Sequence, residues 1–459
     1  MYVPNIVLDI HNLLKSIDVK AVVVGGYVRD RIMGLSGSKD IDIEVYGVND
    51  IETLKTTLER IAPVHEVGKS FGVLKMTLNG YDLDISMPRT ESKTGSGHRG
   101  FSVVLQENMD FEKASLRRDF TMNAIGFDLE SQSYLDPHGG QEDIAKKRIC
   151  MVNKESFIED PLRILRAVQF AARLGFTLDD DTLVLCQKMV KNKMLDELPK
   201  ERVFDEIKKL LLRSKKPSYG FKLLDEMGAL YPELEALKGV AQNPKYHPEG
   251  DVFTHTMLSL DVMAKEPVAD EKEQLILMLA VLCHDYGKPE TTELIDGTIR
   301  ALKHESAGLK PTKLFISRLT DELNLFENVA PLIEHHLKPS QFYAQKSKAS
   351  AIRRLSVQVN IERLIAVARA DFLGRTTKEA EEGIYKAGLW LRQEADKLEV
   401  LRKSPQPFLG GRDLIALGLK PGILFKEILA TAYEQQLDGT FKDDKEARKW
   451  LEGYLGTIS

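Results

Sequence analysis

Apolar positions along the first 150 residues come in short alternating runs between glycine-bearing turns. The runs are AVVVGG at 21–26, IDIEVYG at 41–47, GVLKMTL at 72–78, YDLDISM at 81–87 and MNAIGFD at 122–128. Such runs predict strands, and together they make a small sheet in an α+β domain over residues 1–150. Ahead of them, Ile6, Leu8, Ile10, Leu13, Leu14 and Ile17 fall roughly on one side of a short amphipathic helix. From about 156 the spacing turns helical, as in PLRILRAVQFAARLGF and RVFDEIKKLLLRS, with Gly175 and Pro199 as stops. Strand signals then largely disappear up to Ser459. Breaks near 240 and at KSPQPFLGG divide this helical part into a neck and body (151–240), a histidine-bearing module (241–400) and a tail (401–459).

Composition narrows the class. The chain has 459 residues, 43% hydrophobic and 29% charged, which excludes a wholly disordered protein. Lys and Arg number 64 against 69 Asp and Glu, a net charge of -5. A strongly basic protein is excluded, but a basic patch is not. Residues 188–216 hold ten Lys/Arg and five Asp/Glu, a candidate phosphate-contacting face. Cys150, Cys186 and Cys283 are scattered and odd in number. They make neither a disulfide framework nor a paired-cysteine zinc site, so a reducing, cytoplasmic location is expected. No run approaches the ~20 apolar residues of a membrane span, and no export signal is visible, so no membrane partner is expected.

The chemistry-bearing residues begin at VVVGGYVRDRIMGLSGSKDIDIEVYG, residues 22–47. Gly25 and Gly26 follow a buried-type strand and precede a helical stretch, where side-chain-free backbone lets amides approach a phosphate. Arg29 adds a planar donor fork. Asp40 and Asp42, two apart on a strand, point to one face, and convergent carboxylates suit Mg²⁺. Asp82 and Asp84 repeat the spacing and offer a third carboxylate. In EDPLR at 159–163, Pro161 reads as the first helical residue, with Asp160 and Arg163 on one helix face. A carboxylate accepts from an exocyclic amine, and a guanidinium donates to ring nitrogen and carbonyl acceptors. The pair can therefore read the Watson–Crick edge of C or A.

These segments occur in order with PRTESKTGSGHRGF at 88–101, RRDFTMNA at 117–124, DPHGGQEDIAKKRI at 136–149, EDPLRILRAVQFAARLGF at 159–176 and ERVFDEI at 201–207. The set resembles bacterial CCA-adding enzymes, tRNA nucleotidyltransferases of the class shared with bacterial poly(A) polymerases. The resemblance implies a polymerase-β-like head followed by helical domains, and addition of CCA to tRNA from CTP and ATP without a template. It makes Asp40 and Asp42 the Mg²⁺ ligands that activate the tRNA 3′-hydroxyl, with Asp84 as third carboxylate and Asp82 in reserve. It makes Arg118, Asp119 and Asn123 the group that recognises ribose and triphosphate. It gives base reading to Asp160 and Arg163, with Arg166 in the same motif. The polar stretch 86–110 corresponds to a mobile loop, with Arg89 and Glu91 as candidates for coupling it to the site. RTESKTGSG departs from the R-x-D form of some members. A poly(A) polymerase or an A-adding enzyme shares most of these motifs and is the alternative within the class.

Six of the ten histidines fall between 247 and 336. His284-Asp285 ends the apolar run LILMLAVLC, and His255 and Asp371 complete an H…HD…D set. This resembles the HD family of metal-dependent phosphohydrolases. His304 and His335 or His336 are candidates for a second metal, Mg²⁺ or a divalent transition metal. Such a centre supplies a nucleophile to phosphorus. In bacterial CCA enzymes carrying the module, it implies phosphatase and 2′,3′-cyclic phosphodiesterase activity. Lys288 is a candidate phosphate partner, and His247 a loop residue near substrate or a turn residue. An alternative from another class is a chain whose main activity is this hydrolysis.

Overall fold

Four of the five residues of KAVVV are buried, so this strand needs cover on both faces. In the computed structural model it is β1 (Lys20–Val24), and helices Asn5–Lys15 and Gly26–Ile32 pack against it. The structure describes residues 1–48, 50–67, 72–93, 101–105, 109–266 and 268–458. The other strands of the head are β2 (Asp40–Tyr46), β3 (His65–Val67), β4 (Val73–Leu78), β5 (Tyr81–Ser86), β6 (Arg89–Lys93), β7 (Phe101–Leu105), β8 (Gly126–Asp128) and β9 (Ser133–Leu135). Seven of them form one sheet, in the order β3-β4-β5-β2-β1-β8-β9. Within this sheet the β2–β5 pairing is parallel and the other described pairings are antiparallel.

The chain divides into two units. One comprises Met1–Ser214 with Tyr219–Leu230, the other Lys215–Ser218 with Tyr231–Ser459. In the first, the leading helix buries Ile6, Val7, Ile10, His11 and Leu14, a stripe that leaves Leu8, Leu13 and Ile17 half-buried. MNAIGFD is not one strand: Thr121–Asn123 forms a 3₁₀ turn, and β8 begins only at Gly126. The turn lets Asn123 reach back to Asp119 (Nδ2 to Oδ1, 3.0 Å), a bond that alternation does not reveal. Part of the polar stretch 86–110 is also structured, since β6 and β7 pair antiparallel from Arg89↔Leu105 to Lys93↔Phe101. Residues 94–100 and 106–108, and the side chains of Arg89 and Glu91, lie outside the described residues. Helix Leu162–Leu174 ends on Gly175 in the left-handed conformation (φ 69°), and helix Lys200–Arg213 packs beside it.

The second unit is built around helix Glu271–Cys283, buried continuously from Gln274 to Cys283. Helices Val252–Ala264, Leu323–His335 and Ile361–Leu373 surround it. A hairpin, Thr292–Ile295 with Thr298–Ala301, interrupts the helices where the sequence pattern shows none. Gly297 at its turn takes φ 69°. The tail has its own apolar cluster of Leu409, Leu414, Ile428, Ala432, Phe441, Ala447 and Leu451. Among the described residues, no helix is long and apolar enough to cross a membrane.

Candidate active sites

In the first unit, a cleft of about 490 Å³ lies at the ends of β1 and β2. Its walls include Gly25, Gly26, Arg29, Asp42, Arg118, Asp119, Asn123, Asp160, Arg163 and Arg166. Every residue expected to bind nucleotide therefore lines one space. Gly25 turns from β1 into helix Gly26–Ile32 at φ 73°, and a Cβ there would stand 2.9 Å from Asp42 Oδ2. Both facts demand glycine.

Asp40 and Asp42 leave β2 on its accessible face. The parallel register sets Asp42 beside Asp84 and Asp40 beside Asp82. Thr77 donates to Asp82 (2.7 Å), whereas Lys75 forms an ion pair with Asp84 (2.9 Å). Desolvation and the facing Asp84 and Asp40 raise the Asp42 pKa, against the pull of Arg118 and Lys75. Among the described residues, no three of these carboxylates have oxygens all within 4.8 Å of one another, unlike the histidine groups described below. An oxygen-only set of this kind fits Mg²⁺, which takes few protein ligands and completes its shell with phosphate and water.

One step further along the alternation is Glu44, which the D-x-D reading missed. It is fully buried and accepts from Arg117 (2.9 Å) and Tyr46 (3.0 Å), with Arg118 at 3.5 Å. Burial opposes its charge, but the two guanidiniums still hold its pKa below the usual value. Glu44 thus anchors the RR pair that lines the cleft. Asp119 anchors the other side. Its Oδ1 accepts from the Phe120 amide and Asn123, and its Oδ2 from Arg166 (Nε, 2.7 Å). Arg29 donates to Asn123 Oδ1 (2.7 Å). Burial would raise Asp119, but Arg166, Asn123 and Arg163 more than offset it and hold the carboxyl down.

Asp160 and Arg163 both line the cleft, but not as a pair on one helix face. Asp160 lies between helices Lys154–Glu159 and Leu162–Leu174, and Pro161 precedes the second helix instead of opening it. Arg163 donates to the carbonyls of Arg117 and Arg118. The partner of Asp160 is Arg202 (Nη2 to Oδ2, 3.2 Å), from ERVFDEI. Arg173, Arg202 and Phe170 also line the cleft and were not singled out from sequence. Arg202 stood in a quoted motif, but no local spacing links it to a residue 42 positions away.

The second unit gathers a different chemistry. His255, His284 and Asp285 have ligand atoms within 4.8 Å of one another, as do Asp285, His304 and His336. Asp285 belongs to both groups. All five are nearly fully buried, and Asp371 joins through His255 (Oδ1 to Nε2, 3.0 Å). His284, His304 and His336 direct Nδ1 at the carbonyls of Val281, Ala301 and Ile333, at 2.7, 2.8 and 2.7 Å. A carbonyl only accepts, so each Nδ1 carries a proton, and in the neutral ring Nε2 keeps the lone pair; for His284, burial lowers the pKa but Asp285 outweighs it and raises it. The Nε2 atoms of His304 and His336 face each other at 3.3 Å. Burial, with His284 and His304 nearby, lowers the pKa of His336 to about 3, so this ring stays neutral. His284 Nε2 and both oxygens of Asp285 are buried without a well-formed hydrogen bond, although Lys288 Nζ stands 2.7 Å from Oδ2. Imidazole nitrogens converging on a shared carboxylate, with Lys288 beside one of its oxygens, fit a divalent cation.

Of the adjacent pair, only His336 joins a ligand group. His335 is half-buried and stands apart, because consecutive helical residues point about 100° away from each other. Gly287 allows the second half to close: a Cβ there would lie 2.0 Å from the His304 carbonyl oxygen. Sequence reading also missed Glu249, whose Oε1 accepts from Nδ1 of both His247 (2.9 Å) and His255 (2.8 Å). Burial opposes its charge, but these imidazoles hold its pKa far below normal. His247, Lys288, Arg300 and Arg375 border a cavity of about 600 Å³ over the cluster.

The first unit thus has the fold of a poly(A)-polymerase-type nucleotidyltransferase, and the sequence profile of the poly(A) polymerase head domain matches residues 21–150. Profiles of a probable RNA- and SrmB-binding site of polymerase A and of the HD domain match 175–238 and 252–375. The multifunctional CCA protein of Pasteurella multocida is 35% identical over 396 residues, covering 83% of this chain and 90% of that protein. The chain belongs to this family of CCA-adding nucleotidyltransferases. The Bacillus stearothermophilus CCA-adding enzyme in complex with CTP shares the fold at TM-score 0.64 and 23% identity, over 98% of this chain and 97% of that one. The Thermotoga maritima enzyme complexed with tRNA does so at TM-score 0.60 and 20% identity, over 99% and 96%.

Proposed function

We propose that the first unit adds C, C and A to tRNA 3′ ends from CTP and ATP, selecting the base with protein side chains. The observation that carries this reading is the arginine-lined cleft that has Asp42, Asp160 and Arg163 together on its walls. The Gly25–Gly26 backbone and the arginines receive the triphosphate, while Asp119 holds Arg166 and Asn123 in place for the ribose side. Asp160 accepts from the amine of C or A, and Arg163 donates to the adjoining ring acceptors. Asp40 and Asp42 hold Mg²⁺, which neutralises charge on the attacking and leaving oxygens when bound. The test is incubation with Mg²⁺, tRNA lacking CCA, and each nucleotide alone and together. Failure to add both C and A overturns the proposal, and long tails from ATP alone on generic RNA support a poly(A) polymerase.

A second activity is favoured by the buried histidines with their bare Nε2 atoms. The second unit is assigned hydrolysis of phosphomonoesters and 2′,3′-cyclic phosphates, as at damaged RNA ends. His255, His284, Asp285, His304, His336 and Asp371 hold the divalent metal that supplies the nucleophile. Lys288, Arg300 and Arg375 offer cationic donors to phosphate. Hydrolysis of 2′,3′-cyclic AMP with Mg²⁺, Mn²⁺, Ni²⁺ or Co²⁺ tests it, and no turnover with any of them overturns it. Both activities fit a cytoplasmic enzyme.

A further inference from the structure

The Asp160 carboxylate has three donors around it. The Leu162 amide reaches Oδ1 (3.2 Å), and Arg202 spans both oxygens, Nη1 to Oδ1 at 3.5 Å and Nη2 to Oδ2 at 3.2 Å. Arg202 comes from the first turn of helix Lys200–Arg213, whose packing against helix Leu162–Leu174 brings it to the cleft. Asp160 and Arg202 are partly exposed, with side-chain accessibilities of 27% and 28%, so the pair faces the cleft and not the core. Arg163, by contrast, is tied to backbone carbonyls and lies by the Phe157 ring, 5.9 Å from its centroid.

We infer that Arg202 is a positioning residue for nucleotide fidelity: its fork fixes the Asp160 carboxylate so that the cleft accepts amino-bearing bases and rejects UTP and GTP. This rests on the base-reading role proposed above for Asp160. An ionised carboxylate only accepts hydrogen bonds. Cytosine and adenine present an amine at the position where uracil and guanine present a carbonyl oxygen. A fixed carboxylate therefore bonds the first two and repels the others, and leaving such a group unpaired is what gives polar sites their selectivity. A carboxyl free to rotate can turn away from the carbonyl, and the discrimination weakens. A two-point clamp prevents this rotation, with a geometry that lysine cannot reproduce.

The test is the ratio of kcat/KM for CTP over UTP on tRNA lacking CCA, measured with full-length wild type, R202A, R202K and D160A. The expected result is a fall of about tenfold or more in R202A, a smaller fall in R202K, and a collapse in D160A. Global unfolding or loose packing slows all nucleotides alike and leaves the ratio unchanged. An unchanged ratio in R202A alongside a collapsed one in D160A overturns the role of Arg202 and leaves base reading by Asp160 standing. An unchanged ratio in D160A overturns both. If R202A does not fold, R202Q keeps the side-chain length without the charged fork and is read in the same way.

Discussion

The two candidate sites solve the same problem, holding charge near phosphate, in opposite ways. In the head, Asp40 and Asp42 are accessible, the carboxylates stand apart, and Lys75 neutralises Asp84. In the second unit the ligands are buried, and four imidazoles have Nδ1 held by carbonyls or Glu249. The first arrangement suits a hard cation that arrives with a triphosphate and leaves with the product. The second suits a resident metal, because neutral nitrogen donors can be brought together without the repulsion that separates carboxylates.

That contrast can be broken most directly by removing the ligands. Asp40→Ala with Asp42→Ala should reduce nucleotide addition by about a thousandfold or more while cyclic phosphate hydrolysis persists. His284→Ala with Asp285→Ala should reverse the pattern. Elemental analysis after dialysis should find metal in the wild type and little in this second variant. Loss of both activities in either variant would mean that the sites are not chemically separate.

A subtler probe of the head is Gly25→Ala. The positive φ costs roughly 1–2 kcal/mol, and the new methyl must push Asp42 aside. Addition should fall by about 10–100-fold, with hydrolysis unchanged, as read by paired assays.

Asp119 offers a pH test. Its folded-state pKa lies below the ordinary 3.8, so its charge stabilises the fold at neutral pH, and this contribution is lost as pH falls below about 4 through the folded value. Asp119→Asn should destabilise the first unit by about 1–3 kcal/mol at pH 7, with the difference shrinking in acid, as measured by urea unfolding at pH 7 and pH 3. A constant difference would put the contribution in packing and not in charge.

The smallest expected effect separates neighbours. His336→Ala should lower the bound metal content, and His335→Ala should leave both metal and hydrolysis close to wild type. Equal losses would contradict the inward placement of His336 alone.

Much of this was legible beforehand because it rests on short-range chemistry. D-x-D needs only the period of a strand, and the HD pair only a helix end. The residues that escaped are those whose partners are remote. Glu44 looks like another polar strand position until Arg117 and Arg118 arrive from a different segment. Glu249 reads as a turn residue until His255 turns toward it. The 3₁₀ turn at Thr121–Asn123 interrupts an apolar run with strand character, and the bond it permits from Asn123 to Asp119 is invisible to alternation.

The sequence by itself determined the class of fold, the family and the kinds of group available at both sites, because periodicity and motif order are local properties of the chain. Tertiary structure decided which groups meet. It chose Arg202 over Arg163 as the partner of Asp160, and His336 over His335 for the buried histidine cluster. It set Asp84 beside Asp42 through the parallel β2–β5 register. Each choice depends on the direction of a side chain across elements far apart in sequence, which packing fixes and residue order does not.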